Sequence, residues 1–531
     1  MPADNMNTGL VHQYPARAAA RDPHRLALVC ADRRVTYREL ELRMERVAAS
    51  LRAAKLMAGS RIAWLGHNSV EYVELMLGAA AAGMVLVPIN WRLAAPEIRS
   101  LVEDADPALL FHASEFSNLL KKACGPGNSL PMISVDGGDE YERWLASTAV
   151  NAAADGQQHG DCLPARRDPE DCFLQLYTSG TTGRPKGVRL NHRAFFARRQ
   201  QEAALGSYYE WSDCETILVA APVFHIAGSG WLLQGLHNGA TCVIHPALDP
   251  LAMLDAVRTH RIRRVFAPPI VLRWMIDRQR QHPVDLSCLR LFLYGSAPIA
   301  PATLREALEV IPHCGFMHHY GMTEMTGSQV CMAPHEHDPR NPARLSSCGR
   351  PMPGVELRIV DPDGTCLATG IVGEIELRSA ARMLGYWKQP EQTAQVVQDG
   401  WYKTGDAGRV DADGFLYIVD RIKDMIVTGG ENVYPVEVEN ALHEHPAIAL
   451  AAVIGRPHPV WGEAVHAVVT LRAGAGVSPE ELIAFLRPRI AGFKIPRSYD
   501  FVASLPLTSS GKISKVELRR PYWSAEVRGV N

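Results

Sequence analysis

Residues 177–191 read Tyr-Thr-Ser-Gly-Thr-Thr-Gly-Arg-Pro-Lys-Gly-Val-Arg-Leu-Asn. Four hydroxyl side chains, Thr178, Ser179, Thr181 and Thr182, are interleaved with Gly180 and Gly183, and Lys186 and Gly187 close the segment. The apolar run 172–177 before it is short and continuous, as a buried strand is. A strand that empties into a loop of N–H and O–H donors belongs at the carboxyl edge of a covered sheet, where ligands of open α/β folds collect. Glycine reaches positive φ without steric penalty, so successive N–H groups can turn inward as an anion nest. Lys186 adds a point charge. The Walker P-loop pattern is excluded. It needs Lys directly after the second Gly and Ser/Thr next, whereas Arg184 and Pro185 precede Lys186 and Gly187 follows it.

Helix and strand signals alternate on both sides of this loop. Thr36 and Glu39 make a capping box, after which Leu40, Met44, Val47 and Leu51 recur at helical spacing. A strand at 61–65, a helix at 70–82 and a strand at 84–89 follow. Further strands are predicted at 217–220, 241–244, 265–268 and 291–294. These strands are continuous apolar runs, the mark of parallel sheets covered on both faces. The expected architecture is therefore a large α/β N-terminal domain with parallel-rich sheets covered by helices, residues 1–420. Residues 112–171, rich in Gly, Ala and Gln, read as surface connections. After Asp420 the pattern changes to a helix from Pro435 to about 444 and strands at 449–454 and 464–471. A second capping box with Pro at N1 follows at 478–481. Residues 421–531 are expected to form a small mobile α+β C-terminal domain on a charged hinge at about 420–424.

A chain of 531 residues exceeds one core and implies at least two domains. The net charge of −2 gives no reason to expect a nucleic-acid partner. The eleven cysteines include no C-x-x-C pair, which fits free thiols in a reducing compartment. The longest apolar run, 75–89, is shorter than the ~18–20 residues of a membrane span and is interrupted by Gly78, Gly83 and Pro88. The N-terminus lacks a basic stretch leading into an apolar one. No transmembrane segment and a cytoplasmic location are expected; a homodimer stays open.

The loop at 178–187 resembles the phosphate-binding signature of the adenylate-forming superfamily, which includes acyl- and aryl-CoA synthetases, peptide-synthetase adenylation domains and luciferases. Further motifs follow in that family's order from about residue 37 to 519. Gly295-Ser296-Ala297-Pro298 is similar to its adenine-side loop. Tyr320-Gly321-Met322-Thr323-Glu324 is similar to the motif in which the aromatic lies on adenine, the Thr meets the α-phosphate and the Glu holds Mg²⁺. Asp406 matches the ribose-binding aspartate, with Arg421 reaching the same region. Lys512, in Ser509-Ser510-Gly511-Lys512, matches the lysine that bridges carboxylate and α-phosphate. Lys423 matches the hinge position. Gly429 and Gly430 would admit the pantetheine arm, and Trp461, Phe493 and Arg497 match positions that contact the CoA nucleotide. One basic position of that set is Ile495 here. His225, in Pro222-Val223-Phe224-His225, falls in the acyl-pocket motif and would gate or orient the carboxylate. Gly228, Gly230, Gly321 and Gly327 would leave that pocket open, with Trp231 and Met325 as walls.

Taken singly, these residues have plainer explanations. Glu324 suits a solvated helix start, Asp406 an Asx-turn, Arg421 a linker ion pair, Lys512 an exposed tail and His225 a satisfied core histidine. The arginines at 258–264 and 273–280 read as solvated helix faces. The His pairs at 318–319, 335/337 and 443/445 lack metal-ligand spacing.

The resemblance implies an AMP-forming acyl-CoA ligase using ATP, Mg²⁺ and CoA. No acid lies between 219 and 236, which disfavours an amino-acid substrate; a fatty acid is expected, with an aromatic or alicyclic acid as the alternative. A carrier-protein-loading enzyme, a luciferase-like oxygenase and a non-catalytic binder are the other readings.

Overall fold

The computed structural model describes residues 9–125, 127, 129–154, 167–178, 185–297, 299–508 and 512–523. Two large sheets dominate. One has nine strands in the order Arg350–Pro351, Gly327–Met332, Gly315–Met322, Leu291–Gly295, Arg264–Ala267, Thr216–Val219, Thr241–Ile244, Leu26–Cys30 and Arg33–Thr36. Its centre is parallel, and antiparallel strands close both edges. The other has seven strands in the order Gly385–Tyr386, Lys186–Asn191, Cys172–Thr178, Val85–Ile89, Arg61–Leu65, Leu109–His112 and Met132–Ser134. It is parallel except at one edge, where Lys186–Asn191 runs antiparallel to both Cys172–Thr178 and Gly385–Tyr386.

The helices Tyr37–Ala53 and Val70–Ala82 contribute to a core shared by both sheets. The capping box at Thr36 and Glu39 is formed as expected. Helix Val70–Ala82 buries almost every side chain, so it has no polar face and ends at Gly83 with φ +77°. Its one buried acid, Glu74, is neutralised by Arg33 and Arg43 and accepts from Tyr141 OH at 3.0 Å. A buried carboxylate survives only when paired and bonded in this way.

Three expectations are corrected. Residues 112–171 are more than connections, because they contain the helices Ser117–Cys124 and Glu140–Ala154 and the strand Met132–Ser134. Residues 356–421 form a five-stranded antiparallel sheet that the strand reading had not anticipated: Glu356–Val360, Gly373–Arg378, Trp401–Val410, Val397–Gln398, with Leu416–Arg421 on Trp401–Val410. The basic runs are not solvated faces throughout. Arg264 is fully buried and paired with Glu215, and Arg273 is held by Asp277 and Glu306.

The C-terminal part has its own core around a fourth, mostly antiparallel sheet. The strands Ile448–His458 and Gly462–Leu471 pair along their length, and helix Pro435–His443 packs on them. Large α/β domain and small sheeted C-terminal domain thus match the expected class. Among the described residues, no helix is long and apolar enough to cross a membrane.

Candidate active site

The carboxyl ends of three strands converge at one cleft. Thr178 ends its strand opposite Lys186, the two being Cα partners at the mouth of the hairpin. Ser179, Gly180, Thr181, Thr182 and Gly183, the loop between them, lie outside the described residues, as does Pro298. Leu291–Gly295 approaches Gly315–Met322 so closely that a methyl on Gly295 would meet the His319 carbonyl. The next residue, Ser296, takes φ +70°, a left-handed conformation that non-glycine residues hold only when their surroundings impose it. Gly321 is equally constrained: a Cβ there would collide with the backbone of Gly327 and Ser328, where the hairpin Gly315–Met332 is bulged.

Glu324 sits on the short turn Thr323–Met325 and is buried. It is not a solvated helix start. Thr178 Oγ1 lies 3.5 Å from its Oε1, and Tyr386 OH donates to the same oxygen at 3.1 Å. Burial raises its pKa, opposed by a backbone hydrogen bond, by the Tyr386 hydroxyl and by Arg421 and Lys186. The Lys186 ammonium is 5.0 Å from the Tyr386 ring centre. A buried, under-neutralised carboxylate beside a lysine and a hydroxyl is the donor chemistry that a Mg²⁺–polyphosphate complex completes.

Asp406 and Arg421 are Cα partners in the antiparallel sheet. Asp406 accepts from Tyr320 OH at 2.7 Å, and Arg421 Nε stands 3.5 Å from its other oxygen. A carboxylate oriented by a tyrosine and an arginine can accept two hydroxyls of a ribose. Burial pushes the Tyr320 phenol well above its usual range, reinforced by Asp406, so it remains a donor.

Lys512 comes from the small domain. It lies at the end of a turn where Thr508 N donates to its carbonyl at 2.6 Å and its own N–H donates to Thr508 Oγ1 at 3.1 Å. Its ammonium is within electrostatic range of Arg421, Asp406 and Glu324, and of His225 on the far wall. Burial and Arg421 lower its pKa to about 8, with the two carboxylates opposing. It is half-buried, not an exposed tail. His225 caps helix Ile226–His237 without a side-chain bond to it. Burial, with Lys512 and Arg92, lowers its pKa to about 4. At neutral pH it is an uncharged ring.

Behind this centre runs a cavity lined by Ile226, Ala227, Gly230, Trp231, Gln234 and Phe266 on one side and by Ser296, Gly321, Thr326 and Gly327 on the other. Gly230, Gly321, Gly327 and Trp231 stand where expected. Met325 does not: it is fully buried in the core. Gly228 faces the Ala221 and Pro222 carbonyls.

The other predicted group lies together on the small domain. Gly429 and Gly430 turn the hairpin between Ile426–Thr428 and Glu431–Val433 with φ +60° and +86°. Gly429 N donates to Trp461 O at 2.9 Å, and Arg497 lies 5.1 Å from the Trp461 ring centre. Trp461 and Phe493 are large apolar side chains left exposed. These contacts are all internal to the small domain. Ile495 is a core residue, so the basic side chain expected there has no equivalent at that position. Lys423 lies in the short turn Ile422–Asp424.

Tyr386 and the charged trio Arg198, Arg199 and Glu202 were not anticipated. Tyr386 sits in no motif. The trio has the i, i+1, i+4 spacing of an ordinary solvent face.

The two-domain fold, with Lys512 of the second domain brought near the Asp406–Arg421 pair and Glu324 of the first, is that of an AMP-binding enzyme. The chain belongs to the AMP-binding enzyme family: that family's model matches residues 15–387, and the model of the AMP-binding enzyme C-terminal domain matches 437–512. Its relatives are acyl- and aryl-CoA ligases and adenylating enzymes. The fatty acid–[acyl-carrier-protein] ligase ScoC of Streptomyces coeruleorubidus is 40% identical over 517 residues, 97% of this chain and 96% of the relative. Feruloyl-CoA synthase of an Amycolatopsis is 38% identical over 97% and 99%. ATP-bound MatB from Rhodopseudomonas palustris shares the fold with a TM-score of 0.84 at 30% identity, over 96% and 99%.

Proposed function

We propose that this chain activates a carboxylic acid with ATP and transfers the acyl group to CoA. A carboxylate is a poor electrophile, because its charge repels nucleophiles and its oxygen leaves badly. In the first step a carboxylate oxygen attacks the α-phosphorus of ATP and pyrophosphate leaves, giving acyl-AMP. In the second the CoA sulfur attacks the acyl carbon, its proton is released and AMP leaves.

The position of Lys512 carries this reading. Two anions must meet in the first step, and an ammonium between Glu324, Asp406 and His225 offsets their repulsion where water is scarce. Thr178, Lys186 and the loop Ser179–Gly183 would hold the β- and γ-phosphates. Glu324 would hold Mg²⁺, which supplies charge neutralisation at the phosphates when bound. Tyr320, Gly321, Thr323 and Gly295–Pro298 would enclose adenine and α-phosphate, and Asp406 with Arg421 the ribose. Neutral His225 would orient the carboxylate.

The Gly429–Gly430 turn, Trp461, Phe493 and Arg497 would receive CoA. Their contacts lie within the small domain, and in this reading the small domain turns between steps about a hinge at 420–424 centred on Lys423. The proposed boundary after residue 420 falls one residue inside the end of Leu416–Arg421, the last strand of the large domain's third sheet, just before the turn Ile422–Asp424.

The acid is bounded by the cavity. Helix Ile226–His237 lines it from Ile226 to Gln234, eight residues or about 12 Å. A fatty acid, with an aromatic or alicyclic acid as the alternative, fits that length, and the cavity, about 70 Å³ in this structure, must widen to admit either. A carrier-protein thiol in place of CoA is the second reading, favoured by the ScoC relationship. Pyrophosphate release over a panel of acids, followed by thioester formation with CoA or a phosphopantetheinylated carrier protein, tests both. Pyrophosphate from no acid sinks the proposal.

A further inference from the structure

The cavity behind the reacting centre ends in charge. Arg198, Arg199 and Glu202 on helix His192–Ala203 line it, and they are only 3%, 6% and 5% exposed. Glu202 is shared, with Arg198 at 3.0 Å and Arg199 at 2.9 Å. Two guanidiniums on one carboxylate leave a positive charge in excess. The groups packed around do not cancel it. His319 is neutral, held well below its usual range by burial and by Arg198. Tyr14, pushed up to about 12, and His237, lowered to about 3, are neutral, and Arg17 adds a further cation.

Hydrogen bonding is also incomplete there. Arg199 Nε, His319 Nε2 and Thr326 Oγ1 are buried without a hydrogen-bond partner, and all three residues line the cavity. Arg264 nearby shows what completion looks like: it donates to the Glu215 carboxylate and to the Tyr209 and Glu210 carbonyls. Unmade hydrogen bonds on a buried cation are costly, and a ligand that supplies acceptors recovers that cost.

The place of this set is fixed by helix Ile226–His237. His225, at its start, is within range of Lys512. Gln234, two turns on, donates to Tyr209 OH, and Tyr209 is in the field of Arg198, Arg199 and Glu202. The charged set is thus at the far end from the reacting carboxylate.

We propose that the acid carries a second acceptor oxygen, a ketone or carboxylate about 8–12 Å from the carboxyl group that is activated, and that Arg199, with Arg198 and His319, binds it. This rests on the ligase reading above. A plain alkyl chain would place methylenes against guanidiniums and leave their donors unmet.

The test compares kcat/KM for pyrophosphate release on two frames. One is octanoic acid against 7-oxo-octanoic and octanedioic acids; the other is 3-phenylpropanoic acid against its 4-acetyl and 4-carboxy derivatives. The wild-type enzyme should prefer an oxygenated acid by at least about tenfold on one frame, since a site built for an acceptor rejects its absence strongly. The ketone and carboxylate arms separate a neutral from an anionic acceptor. Arg199→Met should lower kcat/KM for the preferred acid at least about tenfold more than for the plain one. Plain acids used as well as or better than their oxygenated partners overturn the inference, and this arm needs no variant to fold. Pyrophosphate from no acid at all is a different result: it removes the ligase reading first, and this inference with it.

Discussion

At the scale of single residues, Lys512 carries the sharpest prediction. Lys512→Ala should lower acyl-AMP formation by about 10²–10³-fold, the range for loss of one preorganised charge, while leaving thioester formation from supplied acyl-AMP near wild type. Equal damage to both half-reactions would refute the assignment. The pH dependence follows from its pKa of about 8. That value is below an ordinary lysine's, so the ammonium is present below pH 8 and lost as pH rises through it. The kcat/KM of adenylation should therefore fall about tenfold per pH unit above about 8, and the thioester half-reaction should lack that limb. Glu324→Gln should raise the Mg²⁺ concentration for half-maximal activity about tenfold, as loss of a carboxylate ligand would; an unchanged Mg²⁺ curve would exclude Glu324 as a ligand. Glu324, Asp406 and Lys512 could be found in sequence because each sits in a patterned motif. Arg199 could not. Charges at i, i+1 and i+4 of a helix look alike whether they face water or a cavity, and only the fold, which lines one cavity with residues of His192–Ala203 and Ile226–His237, separates the cases.

At the scale of elements, the hairpin Gly315–Met332 positions Tyr320 and Glu324, the groups proposed to meet adenine and Mg²⁺. Gly321→Ala places a methyl in the facing backbone. Overpacking of this kind costs about 1–3 kcal/mol, so urea denaturation should register it together with a raised KM for ATP. The turn Ile422–Asp424 is the proposed hinge. Lys423→Pro fixes φ there, and rapid-quench assays should show the second half-reaction slowed more than the first. Seven strands of the two large sheets were legible as continuous apolar runs, whereas Leu26–Cys30, Leu109–His112 and Gly315–Met322, equally part of them, were not singled out. The antiparallel sheet at 356–421 was not legible. Its strand Gly373–Arg378 alternates Glu374 and Glu376 with Ile375 and Leu377, so it is no continuous apolar run, although Glu376 is buried against Arg358. The helices at 117–124 and 140–154 were hidden by the Gly- and Ala-rich sequence around them.

At the scale of the molecule, Lys512 of the small domain interacts with Arg421, Asp406 and Glu324. Asp420, the last large-domain acid, ties the two domains: its Oδ1 accepts from Arg421 N at 2.7 Å and its Oδ2 from Val436 N, at the start of helix Pro435–His443, at 3.1 Å. Arg472 and Glu306 add a cross-domain ion pair at 3.8 Å. Asp420 is buried, whereas the Arg472–Glu306 pair is partly exposed, a weak surface contact of the kind an interface that must release can lose. The direct test is a crystal structure of the enzyme with ATP and Mg²⁺. The triphosphate should lie between the Thr178–Lys186 hairpin mouth and Glu324, with the ribose on Asp406 and the Lys512 ammonium beside the α-phosphate. A triphosphate bound away from that hairpin, or a Lys512 that does not approach the α-phosphate, would contradict the account.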